Sequence, residues 1–562
     1  MSVTFDEDKQ DKKLDEFKKR EEEDVAQIIA ARHGLEYVDL APVPINMDAL
    51  RIVDERDARE AKIAPFSLIG KRVKIAVVSP VSDKTKEAID TIERKGYEVT
   101  LAIASPLSLD KVWSRYSDLS FSTETKAGAL DISSDAIKTF LAEIKTIEDV
   151  KKAINEILKL KKGVRISKIL EIVLSGALAT KASDIHIEPE EEYVRLRYRL
   201  DGVLTDIMQF DLETFGLLLS RIKLLSGLKL NIKSEAQDGR FSVKVVDGAD
   251  VLDIEIRTSV LPGAYNESIV LRLLNPKSIQ VPLEELGIPT KLLGILMKEI
   301  EKPNGMILTT GPTGSGKTTT LYAFLQKIHH PQIKIITIED PIEYHLPGIV
   351  QTQVSNEKNY TFALGLRSAL RQDPDVIMVG EIRDSETAQT AINSALTGHL
   401  VFSTLHTNDA AGAFPRLIDL GVNPRVISSA LTIALAQRLV RKLCPVCRKE
   451  TVLEGTDKAN VDRILATVVD PQEMPAKRDV YYKPVGCPEC NNSGFKGRIG
   501  IYEGIMVTEE INKAIEYSTS EAEIAKAAKP QAIMTMLQDG IIKVLKGVTS
   551  LDELQRVISL EE

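Results

Sequence analysis

The sequence predicts an α/β protein built from several domains. Three observations carry that expectation. The chain has 562 residues, and at roughly 150 residues per domain such a length calls for three or four domains. Beyond residue 276, apolar runs of strand length alternate with helical segments, the pattern of a parallel sheet covered by helices on both faces. One of these runs leads into Gly311-Pro-Thr-Gly-Ser-Gly-Lys-Thr318, a G-x-x-x-x-G-K-S/T loop lying between a strand and a helix.

The composition, 43% hydrophobic and 28% charged, is that of a globular chain and excludes disorder, collagen and membrane classes for its bulk. A net charge of −9 gives no general electrostatic hold on nucleic acid or anionic lipid, so no nucleic-acid partner is expected and any phosphate must be gripped locally. No cationic patch is followed by an apolar run and a small-residue cleavage site, and no apolar stretch reaches the roughly 18 residues of a membrane span. The expected location is the cytoplasm.

Sixteen of the first 24 residues are charged, with mixed signs, which suits a solvated leader or helical arm over residues 1–33. Apolar residues then appear at helical spacing in Val25, Ile28 and Ile29. Residues 34–116 read as a small α/β domain: a strand at Lys74–Val78, a helix from Ser82 to Lys95 and a strand at Glu98–Ile103. A Ser/Thr-rich stretch from Ser117 to Ser134 and a Lys-rich helical segment make residues 117–163 a linker. Residues 164–275 form a further α/β domain, with a helix marked by Ile169, Ile172 and Val173 and an alternating strand at Val194–Arg199. From 276 to 562 lies the main sheet, with strands at Met306–Thr310, Lys334–Ile338, Val376–Val379 and Leu400–Thr404.

The glycines at 311, 314 and 316 let the backbone of Gly311, Pro312, Thr313, Gly314, Ser315 and Gly316 turn its N–H groups toward phosphates. Lys317 adds a charge for the β- and γ-phosphates, the Thr318 hydroxyl suits Mg²⁺, and Thr319 opens the helix, which runs to Leu325. Ligand chemistry in open α/β sheets collects at the carboxyl ends of strands, which brings forward Glu339, Asp340 and Glu381. Glu381 follows an apolar strand and a glycine and suits Mg²⁺ or its water. Glu339 is then the candidate for activating the attacking water, a division that could be swapped. His399 and His406 bracket the last strand and suit a γ-phosphate sensor better than a metal site.

The four cysteines form two knuckles, Cys444-Pro-Val-Cys447 and Cys487-Pro-Glu-Cys490. Two C-x-x-C pairs suit tetrahedral Zn²⁺ held by four thiolates, whereas a disulfide is disfavoured in reducing cytosol and a redox pair would not come twice.

Ile338–Tyr344, Arg371–Asp384 and Gly398–Asp409, together with the phosphate loop, resemble the Asp box, Walker B and His box of the secretion ATPase superfamily. The four ordered motifs are similar to its GspE/PilB branch, the motors of type II secretion and type IV pilus assembly, over roughly residues 164 to 510. The resemblance implies a homohexamer of RecA-like P-loop domains, each preceded by a PAS-like α/β domain and carrying a tetracysteine zinc insert, here residues 440–500. It implies ATP, Mg²⁺ and Zn²⁺ as ligands, and an N-terminal domain that docks on an inner-membrane platform protein, keeping the chain peripheral to the membrane. It also implies arginines acting on a neighbour's ATP, for which Arg240 in Gln237–Arg240 and Arg257 in Asp253–Pro262 are the matching positions. Some members bind cyclic di-GMP through an Arg-Leu-Gly motif, which this chain lacks. The expected activity is ATP hydrolysis powering pilus assembly, with type II secretion as the alternative. A nucleic-acid translocase or a nucleotide-gated scaffold fits the acidic charge and the intact carboxylates less well.

Overall fold

The computed structural model describes residues 22–560 except 41–42, 44, 51, 70, 119–128, 131–139, 142, 160–161, 248–249, 276–280, 356–358, 470–472 and 519. The chain divides into two compact units, Met1–Glu124 with Ile157–Ile169, and Thr125–Glu156 with Leu170–Glu562.

In the first unit β1 (Glu36–Tyr37), β2 (Ile63–Ile69), β3 (Arg72–Val77) and β4 (Glu98–Ile103) form one sheet in the order β1-β4-β3-β2. Helix α1 (Asp83–Arg94) makes the crossover between the parallel neighbours β3 and β4. These elements lie within two residues of the expected ones. Residues 1–21 of the expected leader lie outside the described residues, whereas 22–33 are helical and belong to the domain. This part is not the solvated arm expected of so charged a segment: Val25 and Ile28 are 55% and 67% exposed, but Ala26 and Ala30 join the core and Ile29 packs against it. Alanines four apart let the helix backbone approach closely.

The expected linker falls partly outside the described residues, and its helical segment is the helix Ile147–Leu158. Within it Ala129–Leu130 forms β5, which opens the second sheet. That sheet continues with β6 (Asp184–Pro189), β7 (Val194–Leu200), β8 (Val203–Phe210), β9 (Gln237–Asp247), β10 (Asp250–Pro262) and β11 (Glu267–Leu274), in the order β5-β9-β10-β11-β6-β7-β8. Alternation along β7 buries Val194, Leu196 and Tyr198 and turns Arg195, Arg197 and Arg199 to the other face. The buried Tyr198 hydroxyl donates to the Val173 carbonyl at 2.6 Å, tying the sheet to helix α2 (Lys162–Ala179). Helix α3 (Leu212–Leu225) follows β8, capped by the Asp211 carboxylate on the Thr214 N–H at 2.7 Å.

The third sheet carries the phosphate loop. Strands β12 (Gly305–Thr310), β13 (Ile335–Glu339), β14 (Val350–Gln353), β15 (Val376–Val379), β16 (Leu400–Leu405), β17 (Leu431–Leu443) and β20 (Phe495–Met506) run in the order β14-β13-β15-β16-β12-β17-β20. All neighbours are parallel except β17 and β20. Every residue of β12, β13, β15 and β16 is buried, as in a sheet covered on both faces. Each buried Val, Ile or Leu contributes about 1.5–3 kcal/mol. Helix α4 (Lys317–Ile328) leaves the phosphate loop and buries Leu321 through Leu325.

Between β17 and β20 the described residues of the expected metal insert are folded into regular elements. Strands β18 (Lys449–Val452) and β19 (Val480–Lys483) pair antiparallel, and a helix occupies Gly455–Leu465. Leu453, Val461, Ile464, Leu465 and Tyr481 share a core with Ile541, Val544 and Leu545 of helix α5 (Met536–Leu545). The long connection is therefore a packed part of the motor unit.

Phe402, fully buried in β16, lies against Phe324 of α4 with ring centroids 5.9 Å apart. Phe402→Ala is expected to destabilise this sheet by about 3–5 kcal/mol, read as a lower urea midpoint by tryptophan-independent far-UV circular dichroism.

Candidate nucleotide site and cysteine cluster

Ladder register sets the site. Thr310 pairs with Leu405, Ile338 with Val379, and Val379 with Ser403, so β12, β13, β15 and β16 end together. Beyond those ends lies a cleft of about 950 Å³, lined by the loop Pro312–Thr319, Glu339, Asp340, Glu381, Arg383, His406 and Arg438. Asp184, Arg199, Asp201 and Arg272 of the second sheet line its other side.

Gly311 and Gly316 adopt φ of +144° and +92°, the left-handed region that favours glycine. At Gly311 a Cβ would meet the Gln437 carbonyl at 2.5 Å. Gln437, on β17, also donates its Nε2 to the Ser315 carbonyl at 2.7 Å, so the neighbouring strand braces the loop. Lys317 Nζ donates to the carbonyls of Gly311 and Pro312 at 2.8 and 3.2 Å, and burial lowers its pKa against the opposing pull of Glu381. The Ser315 hydroxyl is buried without a hydrogen-bond partner among the described residues. A loop of backbone N–H groups at the start of α4, with a lysine and a spare hydroxyl, fits a polyphosphate.

Glu381 is fixed through its backbone neighbours. The Gly380 N–H donates to Ile338, the Gly380 carbonyl accepts from Thr404 Oγ1, and the Ile382 N–H donates to Thr404, at 2.8, 2.7 and 3.0 Å. Its carboxylate meets the Arg383 guanidinium on one oxygen and His406 Nε2 on the other at 3.2 Å. The bond to Glu381 raises the Arg383 pKa. The segment after His406 is held by Thr310, whose hydroxyl accepts from the Thr407 N–H at 2.9 Å. Glu381 and Thr318 together offer hard oxygen donors of the kind Mg²⁺ takes.

Glu339 is only 3% exposed. It accepts hydrogen bonds from Tyr322, from Thr337 at 2.5 Å and from Gln351 at 3.1 Å, while burial raises its pKa.

The structure brings the phosphate loop, Glu339, Glu381 and His406 together, and leaves His399 apart. His399 precedes the opposite end of β16 and shares a hydrogen bond with the Ser394 carbonyl at 3.0 Å. Neither Arg240 nor Arg257 lines the cleft of its own chain. Arg240 is 75% exposed beside Glu255, and Arg257 donates to the Ile342 carbonyl at 2.5 Å and faces Glu343 at 3.6 Å. Sequence reasoning missed Arg199 and Arg272, which share the buried Asp184 at 3.3 and 2.9 Å. The alternation in Val194–Leu200 is the signal that marks Arg199 as lying off the core face.

The cysteines converge. Sγ atoms of Cys444 and Cys487, Cys447 and Cys490, and Cys487 and Cys490 lie 3.9, 3.8 and 3.7 Å apart, and all four fall within 4.8 Å of one another. A tetrahedron with Zn–S bonds of about 2.3 Å has edges of about 3.8 Å. Backbone N–H groups of Gly486, Cys487 and Gly494 donate to the sulfurs at 3.2–3.3 Å, as suits thiolates. The donor set fits zinc.

Residues 159–556 match the family described as type II/IV secretion system protein, and residues 33–123 match the MshEN domain. The chain is 45% identical over 392 residues to type II secretion system protein E of Aeromonas hydrophila, covering 70% of this chain and 75% of that one. It is 34% identical over 537 residues to the type IV pilus assembly ATPase PilB of Myxococcus xanthus, covering 95% and 90%. To PilB of Thermus thermophilus it is 37% identical over 534 residues, covering 94% and 57%.

Gln437→Leu keeps the volume but strands the buried Ser315 carbonyl, at about 1–3 kcal/mol. Nucleotide affinity is expected to fall roughly tenfold, measured by titration with a fluorescent ATP analogue, and unchanged affinity would show that the loop stands without this brace.

Proposed function

The chain belongs to the family of type II/IV secretion system proteins and is an ATPase, and on that premise we propose that it powers type IV pilus assembly. The observation that carries this reading is coverage: the alignment to a pilus assembly ATPase takes in 95% of the chain, which leaves too few residues outside for the N-terminal unit to be missed. A second reading, the motor of a type II secretion system, is favoured by the 45% identity over 392 residues to type II secretion system protein E. Among the described residues no helix is long and apolar enough to cross a membrane. In the proposed reading the chain forms a homohexamer and works against an inner-membrane platform protein from the cytoplasmic side.

The proposed chemistry uses the cleft. Backbone N–H groups of residues 311 and 313–316 hold the phosphates, with Thr319 at the helix start, and Lys317 transfers its hydrogen bonds from the loop carbonyls to the β- and γ-phosphates. Bound magnesium would be held by Thr318 and Glu381 and would neutralise phosphate charge. Glu339 takes a proton from the attacking water as the water oxygen bonds to the γ-phosphorus and ADP leaves with the bridging oxygen. His406, bonded to Glu381, is the proposed sensor of the γ-phosphate. Arg240 and Arg257 are proposed to act on a neighbouring protomer's nucleotide, for which the exposure of Arg240 leaves it free. Zinc would hold the two knuckles together and so tie the end of β17 to the start of β20.

Phosphate release by the purified chain is expected to be lost in Lys317→Ala and to fall at least a hundredfold in Glu381→Gln, in a malachite-green assay. Deleting the gene is expected to remove surface pili while protein export continues. Export lost with pili intact would transfer the assignment to secretion. Elemental analysis is expected to give one zinc per chain, with Cys444→Ser or Cys487→Ser losing the metal and lowering thermal stability. A metal-free wild-type chain of equal stability would remove the zinc reading.

A further inference from the structure

Glu339 is held from three elements at once. Tyr322 on α4 donates its hydroxyl to one carboxylate oxygen, while Thr337 of β13 and Gln351 of β14 donate to the other at 2.5 and 3.1 Å. Gln351 is itself pinned, donating to the Tyr344 carbonyl at 3.1 Å and accepting from the Leu346 N–H at 2.7 Å. The fully buried Tyr322 ring packs edge-on against Tyr344, with centroids 4.7 Å apart.

We propose that Tyr322 and Gln351 are positioning residues that set the direction and basicity of the Glu339 carboxylate for activating water. This rests on the reading of Glu339 as the proton acceptor. A buried carboxyl without donors retains its proton, and hydrogen bonds to its charged form oppose that tendency. Burial is the larger influence on Glu339 and raises its pKa, while bonds from Thr337, Tyr322 and Gln351 pull it down. Burial also pushes the Tyr322 phenol far up, so it remains a neutral donor. Titratable groups near Glu339 include Tyr344 and Glu343 on the loop after β13, of which Glu343 raises its pKa further, and Lys317, Asp340, Glu381, Arg383 and His406 line the same cleft. Tyr322 lies on the helix that starts at the phosphate loop, so the same rigid element that meets the phosphates orients the proton acceptor.

The test is steady-state hydrolysis by the full chain across pH, with saturating ATP and Mg²⁺, comparing wild type with Tyr322→Phe, Gln351→Met and Glu339→Gln. Tyr322→Phe keeps the ring contact and removes the donor. Its expected signature is a kcat roughly tenfold lower with an unchanged KM for ATP. The Glu339 pKa rises when the donor is lost, and activity disappears as pH falls through that pKa. The acid limb of kcat is therefore expected to move to higher pH by about one unit. Gln351→Met is expected to move it in the same direction. A raised KM with the acid limb in place would mean that Tyr322 only packs the helix, and overturns the inference. Wild-type profiles in both variants, beside a dead Glu339→Gln, overturn it alone, whereas turnover surviving Glu339→Gln overturns the reading of Glu339 itself. If Tyr322→Phe does not fold, the acid limb of Gln351→Met decides.

Discussion

The site depends on one constraint, that four parallel strands end level with one another. Thr310, Glu339, Val379 and Leu405 close their strands within a residue of the same line, and residues that follow or end them line the cleft. Side chains alternate faces with a period of two, so a one-residue slip of β13 would carry Glu339 to the opposite face of the sheet. Full burial of these strands fixes the register, because a slipped ladder would leave apolar side chains mismatched against the helices on both faces. Packing and the placement of the cleft residues are thus one problem with one solution.

From that line the structure reaches outward through β20. Glu503 is half-buried and accepts the N–H groups of Ala410 and Met536 at 2.8 and 3.0 Å, so the segment after His406 and the start of α5 share a single carboxyl. One residue earlier, the Tyr502 N–H donates to Asp539 of α5 at 2.8 Å, and Asp539 is paired with the buried Lys543. Burial raises the pKa of Glu503 and of Asp539, with these hydrogen bonds opposing it. Helix α5 is therefore joined to the nucleotide side by directional polar bonds as well as by apolar contact.

What the sequence could disclose follows from how local each feature is. The phosphate loop, Glu381 and His406 were legible because each is attached to an apolar strand whose end announces itself within a few residues. Glu339 was legible as a strand-end carboxylate. Its donors were not, because Tyr322 and Gln351 lie 17 residues before it and 12 after it on different elements, and nothing in either neighbourhood names a partner. Arg199 and Arg272 escaped for the same reason, since their shared Asp184 belongs to a third strand. The helix over residues 22–33 was legible as a helix but not as part of a core, because its dense charge suggests a solvated arm while the small Ala26 and Ala30 that pack carry little hydropathy. His399 looked equivalent to His406 on the page, yet a strand has two ends and only one faces the cleft.

The bonds from Lys317 to the carbonyls of Gly311 and Pro312 bear on how a ligand would be received. Fixing a backbone residue costs about 1–2 kcal/mol in conformational entropy. Here that cost belongs to folding, since the lysine and Gln437 already hold the loop in its curled shape. An arriving polyphosphate has only to exchange places with two carbonyl oxygens at one ammonium group. Its affinity then reflects a contest between anionic and carbonyl oxygens for the same three protons, with little ordering of the loop left to oppose it.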